Sequence, residues 1–302
     1  MDGRLVVALG GNALAADPSA PVERQAEAAR ETAVELAAIS GAYELVLTHG
    51  NGPQVGNRLL EQDRTDTPRL PLDVLVAETQ GHLGYVLQRA LDAAFDGDEE
   101  FLTLVTQTVV DPEDPAFDDP SKPVGPWYSE AEAEAKPFET AAVGVGDAPY
   151  RRVVPSPDPV RIVEADDIAA LVARGQGVVC GGGGGVPVVE RDDRIEGVPA
   201  VVDKDHTSRL LAESVDAPEI AFVTDVDCAY REWESDSPEP IGEVGAEEMR
   251  ALADAGAFGE GSMRPKVEAA LDFLAGGGER ALICSPETLA PALAGTAGTR
   301  IV

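Results

Sequence analysis

Three lysines and three glycine turns are the positions of this 302-residue chain whose type and setting could do chemistry. Of its 23 basic side chains only Lys122, Lys136, Lys204 and Lys266 are lysine; the others are arginine. Where arginine serves for every generic positive charge, a retained lysine marks a place that needs a compact point charge. Lys122 stands in Ser121-Lys122-Pro123-Val124-Gly125-Pro126, Lys204 in Asp203-Lys204-Asp205, and Lys266 after Met263-Arg264-Pro265, all loop-like or helix-start settings. Lys136 ends an acidic helix near Ser129 to Ala135, where it suits the helix dipole, and is given no chemical role. Gly10-Gly11-Asn12, Gly50-Asn51-Gly52 and the run Gly181 to Gly185 each follow a buried apolar stretch. Lacking β-carbons, such turns let backbone N–H groups close on an anion, so turns and lysines together point to a phosphorylated ligand.

Other chemistries find less support. No glycine run is followed by Lys-Ser or Lys-Thr, so there is no P-loop, and Gly181 to Gly185 leads into the extended Val186-Pro187-Val188-Val189 where a dinucleotide fingerprint needs a helix. His49, His82 and His206 have no zinc-ligand spacing and no Cys-x-x-Cys pair exists, so no metal site is expected in the protein itself. Ser208, Ser262 and Ser285 lie outside any nucleophile-elbow pattern.

The elements that must position these groups alternate. Leu5 to Leu9 and Leu45 to Thr48 read as buried strands, with helices over Val22 to Ile39 and Val74 to Phe95. Phe101 to Val110 reads as one strand of β-branched residues. The alternation resumes with a helix near Ala165 to Ala173 and strands Gly177 to Cys180, Ile220 to Thr224 and Arg280 to Cys284. Helices are expected near Ala246 to Ala255 and Lys266 to Ala275. This pattern predicts an α/β fold: an open, mostly parallel sheet sandwiched by helices, with ligands at the carboxyl ends of the strands. From Asp111 to Pro159 the chain is rich in Pro, Asp and Glu, which predicts a protruding insertion.

Composition narrows the partners. With 55 acidic against 23 basic residues the net charge is −32, which repels nucleic acid and acidic membranes. An acid-rich, lysine-poor chain suits a salt-concentrated cytoplasm and reads as a halophile's protein. Cys180, Cys228 and Cys284 lie in or beside apolar runs and are expected to be buried free thiols in a reducing compartment. There is no leader-like or membrane-spanning stretch, so a cytoplasmic location is expected.

The ordered motifs LVVALGGNAL, LTHGNGPQVG, AETQGHLGY, SKPVGPWYSEAEA, GGGGGVPVV, VPAVVDKDHTS, FVTDVDCAY and GSMRPKVEAA resemble the carbamate kinases of the amino acid kinase family from about Leu5 to the C-terminus. Many members of that family carry a lysine two residues before the first Gly-Gly pair; here that residue is Ala8, and the resemblance gives its role to Lys204. It implies the amino acid kinase fold in a single domain over 1–302. Its acceptor lobe would be about 1–175, including a small protruding subdomain over about 111–159, and its nucleotide lobe about 176–302. It implies reversible phosphoryl transfer between ATP and carbamate, run toward ATP in arginine breakdown, with Mg²⁺ bound through the nucleotide phosphates, in a homodimer. Amides at Gly10, Gly11, Asn12, Gly50 and Asn51 would hold carbamate and the moving phosphoryl group; Lys204 and Lys266 would neutralise it, oriented by Asp205, with Lys122 as a lid. Thr224, Asp225, Val226, Tyr230, Met263 and Pro265 would line the nucleotide pocket. The alternatives are another carboxylate or phosphate acceptor on the same fold, and a nucleotide- or anion-binding protein without catalysis.

Overall fold

Along Leu5 to Leu9 every side chain is buried, and successive residues feed different cores. Val6 and Ala8 join Val46, Phe222 and Ile283, whereas Leu5, Val7 and Leu9 join Leu47, Val223 and Leu282. A strand apolar on both faces must lie between two helical layers. Each fully buried large side chain there contributes roughly 1.5–3 kcal/mol.

The structure, a computed structural model, describes residues 3–14, 22–95, 100–192, 194–233, 237–259 and 263–302. Ser262 lies outside them. In chain order the strands are β1 (Gly3–Leu9), β2 (Tyr43–His49), β3 (Phe101–Thr103), β4 (Gln107–Val110), β5 (Lys122–Tyr128), β6 (Thr140–Ala142), β7 (Tyr150–Val154), β8 (Pro159–Ile162) and β9 (Gly177–Val179). They continue as β10 (Val186–Arg191), β11 (Arg194–Gly197), β12 (Glu219–Val223), β13 (Tyr230–Arg231), β14 (Glu239–Pro240), β15 (Glu243–Val244), β16 (Arg280–Cys284) and β17 (Thr299–Ile301). The helices are α1 (Val22–Ala37), α2 (Gly52–Arg64), α3 (Leu72–Ala94), α4 (Glu130–Glu134), α5 (Ala165–Val172), α6 (Lys204–Ser214), α7 (Ala246–Asp254), α8 (Met263–Ala275) and α9 (Leu289–Leu293).

The main sheet runs β15-β17-β16-β12-β1-β2-β9-β3, and all its pairings are parallel except β16 with β17. Residues of α5, α6, α7 and α8 pack on one face, and of α1, α3 and α9 on the other. The expected α/β class, with its open and mostly parallel sheet, is what forms. A second sheet, β11-β10-β4-β8, and a small sheet, β5-β7-β6, stand beside it.

Several local expectations change. Phe101 to Val110 is two strands in two sheets, β3 and β4, because Gln80 takes the chain between them: Thr106 N donates to Gln80 Oε1 at 2.9 Å and Gln80 Nε2 donates to Thr106 O at 3.1 Å. A side chain holding the backbone ends one ladder and starts another. The sequence 111–159 holds the three strands of the small sheet as well as the short helix α4. Three helices were not expected, α2, α6 and α9. In α2 the Gly52-Pro53 pair reads as a turn, yet proline lacks an N–H that a first helical turn would leave unpaired anyway.

Candidate active site

The ends of β12, β1, β2 and β9 lie side by side, and the chemistry-bearing turns leave from them. Gly10 N donates to Val223 O at 2.7 Å, Gly50 N to Leu9 O at 3.0 Å and Thr224 N to Cys284 O at 2.8 Å, so neighbouring turns are stitched together. A β-carbon on Gly50 would lie 3.1 Å from Gly11 N, so this approach of backbone to backbone admits little more than glycine. Of Asn12 only the backbone is described, in the 3₁₀ turn Gly11–Leu14. α2 begins at Gly52 and α6 at Lys204, so two helix N-termini, with their unpaired amides, start at this edge.

Lys204 and Lys266 converge on one carboxylate. Asp203 caps α6, its side chain accepting from Asp205 N at 2.9 Å. Lys204 Nζ donates to Asp205 Oδ1 at 2.5 Å, and Lys266 Nζ, from the first turn of α8, donates to Asp205 Oδ2 at 3.2 Å. Their side chains are 11%, 6% and 5% exposed for Lys204, Lys266 and Asp205, so one buried carboxylate sits between two buried lysine side chains. Lys204 Nζ also lies 3.3 Å from Ala8 O, beside the position where a lysine is missing from β1. Burial lowers the pKa of Lys204; Asp205 opposes this and Lys266 adds to it, leaving the ammonium below the ordinary lysine range. Such dehydrated charge interacts with an incoming phosphoryl oxygen far more strongly than one in water.

Lys122 is placed differently. It opens β5 on the small sheet, is 38% exposed, and donates from Nζ to Asp203 Oδ2 at 2.8 Å. Lys136 sits 4.3 Å from the centre of the Tyr128 ring, with Asp63 3.7 Å away, a local packing role.

The third glycine run does not repeat the anion-binding device. Gly181 to Gly185 is buried and serves as a seat for the second turn: a β-carbon on Gly183 would lie 2.1 Å from Asn51 Nδ2, and Gly183 has φ +64°. Asn51 is buried and donates from Nδ2 to Thr79 Oγ1 at 2.9 Å, so its amide side chain is engaged inside the protein and its backbone N–H is what the turn can offer a ligand. Thr108 and Thr207 both donate to Gly184 O, at 2.8 and 2.9 Å, and Gly181 N donates to Thr106 Oγ1 at 2.9 Å. Thr79, Thr106 and Thr207 were not singled out from the sequence; Thr106 lies in the apolar run Phe101 to Val110, where a buried hydroxyl is a signal, whereas Thr79 and Thr207 stand among polar neighbours that give none.

Thr224, Asp225, Val226, Tyr230 and Met263 line a cavity of roughly 290 Å³ at the end of β12. Trp233, Ala257, Phe258 and Gly259 also line it, and Pro265 is not among the described lining residues. The Tyr230 and Trp233 rings, 5.2 Å apart, give it aromatic surface suited to a planar base. Among the described residues no three His, Cys, Asp or Glu side chains are gathered around a possible ion. Cys180, Cys228 and Cys284 are free and buried, as expected.

Sheet, turns and lysines thus form an edge of an open α/β sheet whose amides and ammonium groups suit a phosphoryl group, and comparison with known proteins places the chain in a family. The profile described as Amino acid kinase family matches residues 3–285. The carbamate kinase of Halobacterium salinarum is 47% identical over 98% of this chain and 97% of its own, and that of Pyrococcus furiosus 43% identical over the whole of both. The structure of the carbamate kinase from Giardia lamblia bound to AMP-PNP superposes with a TM-score of 0.90 at 38% identity, covering 99% of this chain and 98% of the other. The chain belongs to the amino acid kinase family, and within it to the carbamate kinase branch. It is a phosphotransferase.

Proposed function

We propose that the chain catalyses reversible phosphoryl transfer between ATP and carbamate, and that it runs toward ATP in arginine breakdown. In that direction the bond between carbamate oxygen and phosphorus breaks while one forms to the terminal oxygen of ADP. In-line transfer needs alignment and charge neutralisation more than covalent participation. Amides of Gly10, Gly11, Asn12, Gly50 and Asn51 hold carbamate and the moving phosphoryl group, assisted by the N-termini of α2 and α6. Lys204 and Lys266 neutralise its equatorial oxygens, and Asp205 fixes the spacing between them. Lys122 reaches over the acceptor from the small sheet. Thr224, Asp225, Val226, Tyr230 and Met263 hold the nucleotide, with Pro265 acting only through the start of α8.

The observation that carries this reading is the ammonium of Lys204 3.3 Å from Ala8 O, joined through Asp205 to Lys266. It supports a branch that supplies the missing charge of β1 from α6. Mg²⁺ fits as an ion bound through the nucleotide phosphates, since both oxygens of Asp205 are already engaged by ammonium groups; when bound it would neutralise phosphate charge. The remaining parts of the reading are a single domain with acceptor and nucleotide lobes meeting near residue 175, a homodimer, and a salt-rich cytoplasm. Among the described residues no helix is long and apolar enough to cross a membrane. A coupled assay for ATP formed from ADP and carbamoyl phosphate tests the activity, and ATP formation is expected only with divalent metal present. A protein that phosphorylates another carboxylate but makes no ATP from carbamoyl phosphate would overturn the acceptor assignment.

A further inference from the structure

The Asp-Lys-Asp triplet carries two carboxylates, and the reading above employs only Asp205. The other, Asp203, divides its two oxygens between two elements. Oδ1 accepts from Asp205 N at 2.9 Å and caps α6; Oδ2 accepts from Lys122 Nζ at 2.8 Å and so reaches the small sheet. Asp203 is only 20% exposed at its side chain. Burial alone would raise its pKa, but the charge and hydrogen bond of Lys122, with His206 and the Asp205 amide, outweigh it and hold the carboxyl well below the usual range.

We propose that Asp203 is a positioning residue for phosphoryl transfer, holding Lys122 at the acceptor site and fixing the small sheet to the same helix end that carries Lys204 and Asp205. One triplet then sets three lysines from three elements: Lys122 of β5, Lys204 of α6 and Lys266 of α8. The chemistry of this contact suits that role. An ammonium has three donors, so a lysine bonded once to Asp203 keeps two for an acceptor anion. A free lysine would have to surrender four rotatable bonds on meeting substrate, whereas a held one has already done so. The pairing also cancels the carboxylate charge that would repel carbamoyl phosphate. Val124, two residues along β5, packs with Val55 of α2, so the hold on Lys122 extends along the strand.

The proposal rests on the carbamate kinase reading for its acceptor, while the contact itself does not. Asp203→Asn separates the two jobs, because asparagine caps helices as well as aspartate but carries no charge for Lys122. With ADP and carbamoyl phosphate, D203N is expected to raise the KM for carbamoyl phosphate roughly tenfold and to leave the KM for ADP within about twofold. K122A should do the same, and the double variant should be no worse than K122A alone, because Asp203 acts through Lys122. Hydrogen exchange of the β5 amides gives a readout independent of turnover: each single variant should exchange faster, and the double no faster than K122A. Additive effects in the double variant, or an unchanged KM in D203N, would overturn the proposal. If the wild-type protein makes no ATP, the functional reading fails, and exchange at β5 still decides the contact: unchanged exchange in D203N sinks it.

Discussion

Lys204 and Lys266 share one buried carboxylate, whereas Lys122 meets a different one from a strand that stands half in water. The two regions contain the same kinds of group at similar distances, and burial separates their roles. Around Asp205 the charges are dehydrated and fixed by the ends of two core-packed helices, so in the proposed reaction they would act on the phosphoryl group without reorganising. Around Asp203 the ammonium keeps access to solvent, where an ion pair contributes little to stability but can still place a charge. The first region suits chemistry and the second suits capture of the acceptor.

The largest expected effect tests that division directly. Lys204→Ala and Lys266→Ala should each lower kcat by at least ~100-fold, since one preorganised charge stabiliser is worth about 3 kcal/mol in a transition state. The loss from Lys122→Ala should fall instead mainly on the KM for carbamoyl phosphate. Steady-state kinetics of the three variants, with circular dichroism to show that each is folded, decides it. Equal kcat losses in Lys122→Ala and Lys204→Ala would erase the distinction between the regions.

The two regions also differed in how readily the sequence revealed them. β1, β2, β12 and β16 were legible because both faces of each strand are apolar, and Arg280 to Cys284 emerged with its bounds intact. Lys204 and Lys266 stood out because arginine has taken almost every other cationic position. The small sheet was obscured by Pro123, Pro126 and a register shift between Val124 and Trp127, which break the alternation that marks a strand. The run Gly181 to Gly185 looked like the two other turns, because composition cannot tell a glycine that admits a ligand from one that admits Asn51. Trp233 and Ala257 to Gly259 escaped notice because the walls of a cavity come together only through the fold.

Ionic strength should act most on the exposed region. With a net charge of −32, lowering the salt lets repulsion reach further, the Debye length growing from ~3 Å at 1 M to ~30 Å at 0.01 M. The small sheet presents half-exposed charges, whereas the main sheet lies between two apolar layers. Activity is therefore expected to fall severalfold before far-ultraviolet circular dichroism changes as KCl is lowered from about 3 M to about 0.05 M. Activity and dichroism lost together would place the weakness in the main sheet, and full retention of both at low salt would refute the halophilic reading.

Acid should act on the buried region, through His49 at the end of β2. Its Nδ1 donates to Gly50 O at 3.0 Å, and burial, opposed by that hydrogen bond and reinforced by the charge of Lys204, lowers its pKa to about 4. The sign follows from linkage. Above the ordinary value of 6.5 the imidazole is neutral in folded and unfolded chains alike, so it costs nothing. As pH falls below 6.5 the unfolded chain takes up the proton first, and stability is lost until the folded imidazole also titrates near 4. Between pH 7.5 and 5.5 this amounts to about 1.4 kcal/mol, small beside the effect of removing a lysine but measurable by denaturant titration. His82, whose pKa is also lowered by burial and by Arg58, contributes in the same direction from a more exposed position. His49→Gln should remove most of the slope in that window, leaving the part due to His82. An unchanged slope would mean that the buried edge of the sheet feels acid through some other group, and that the insulation of the lysine cluster from protons does not depend on the neutrality of His49.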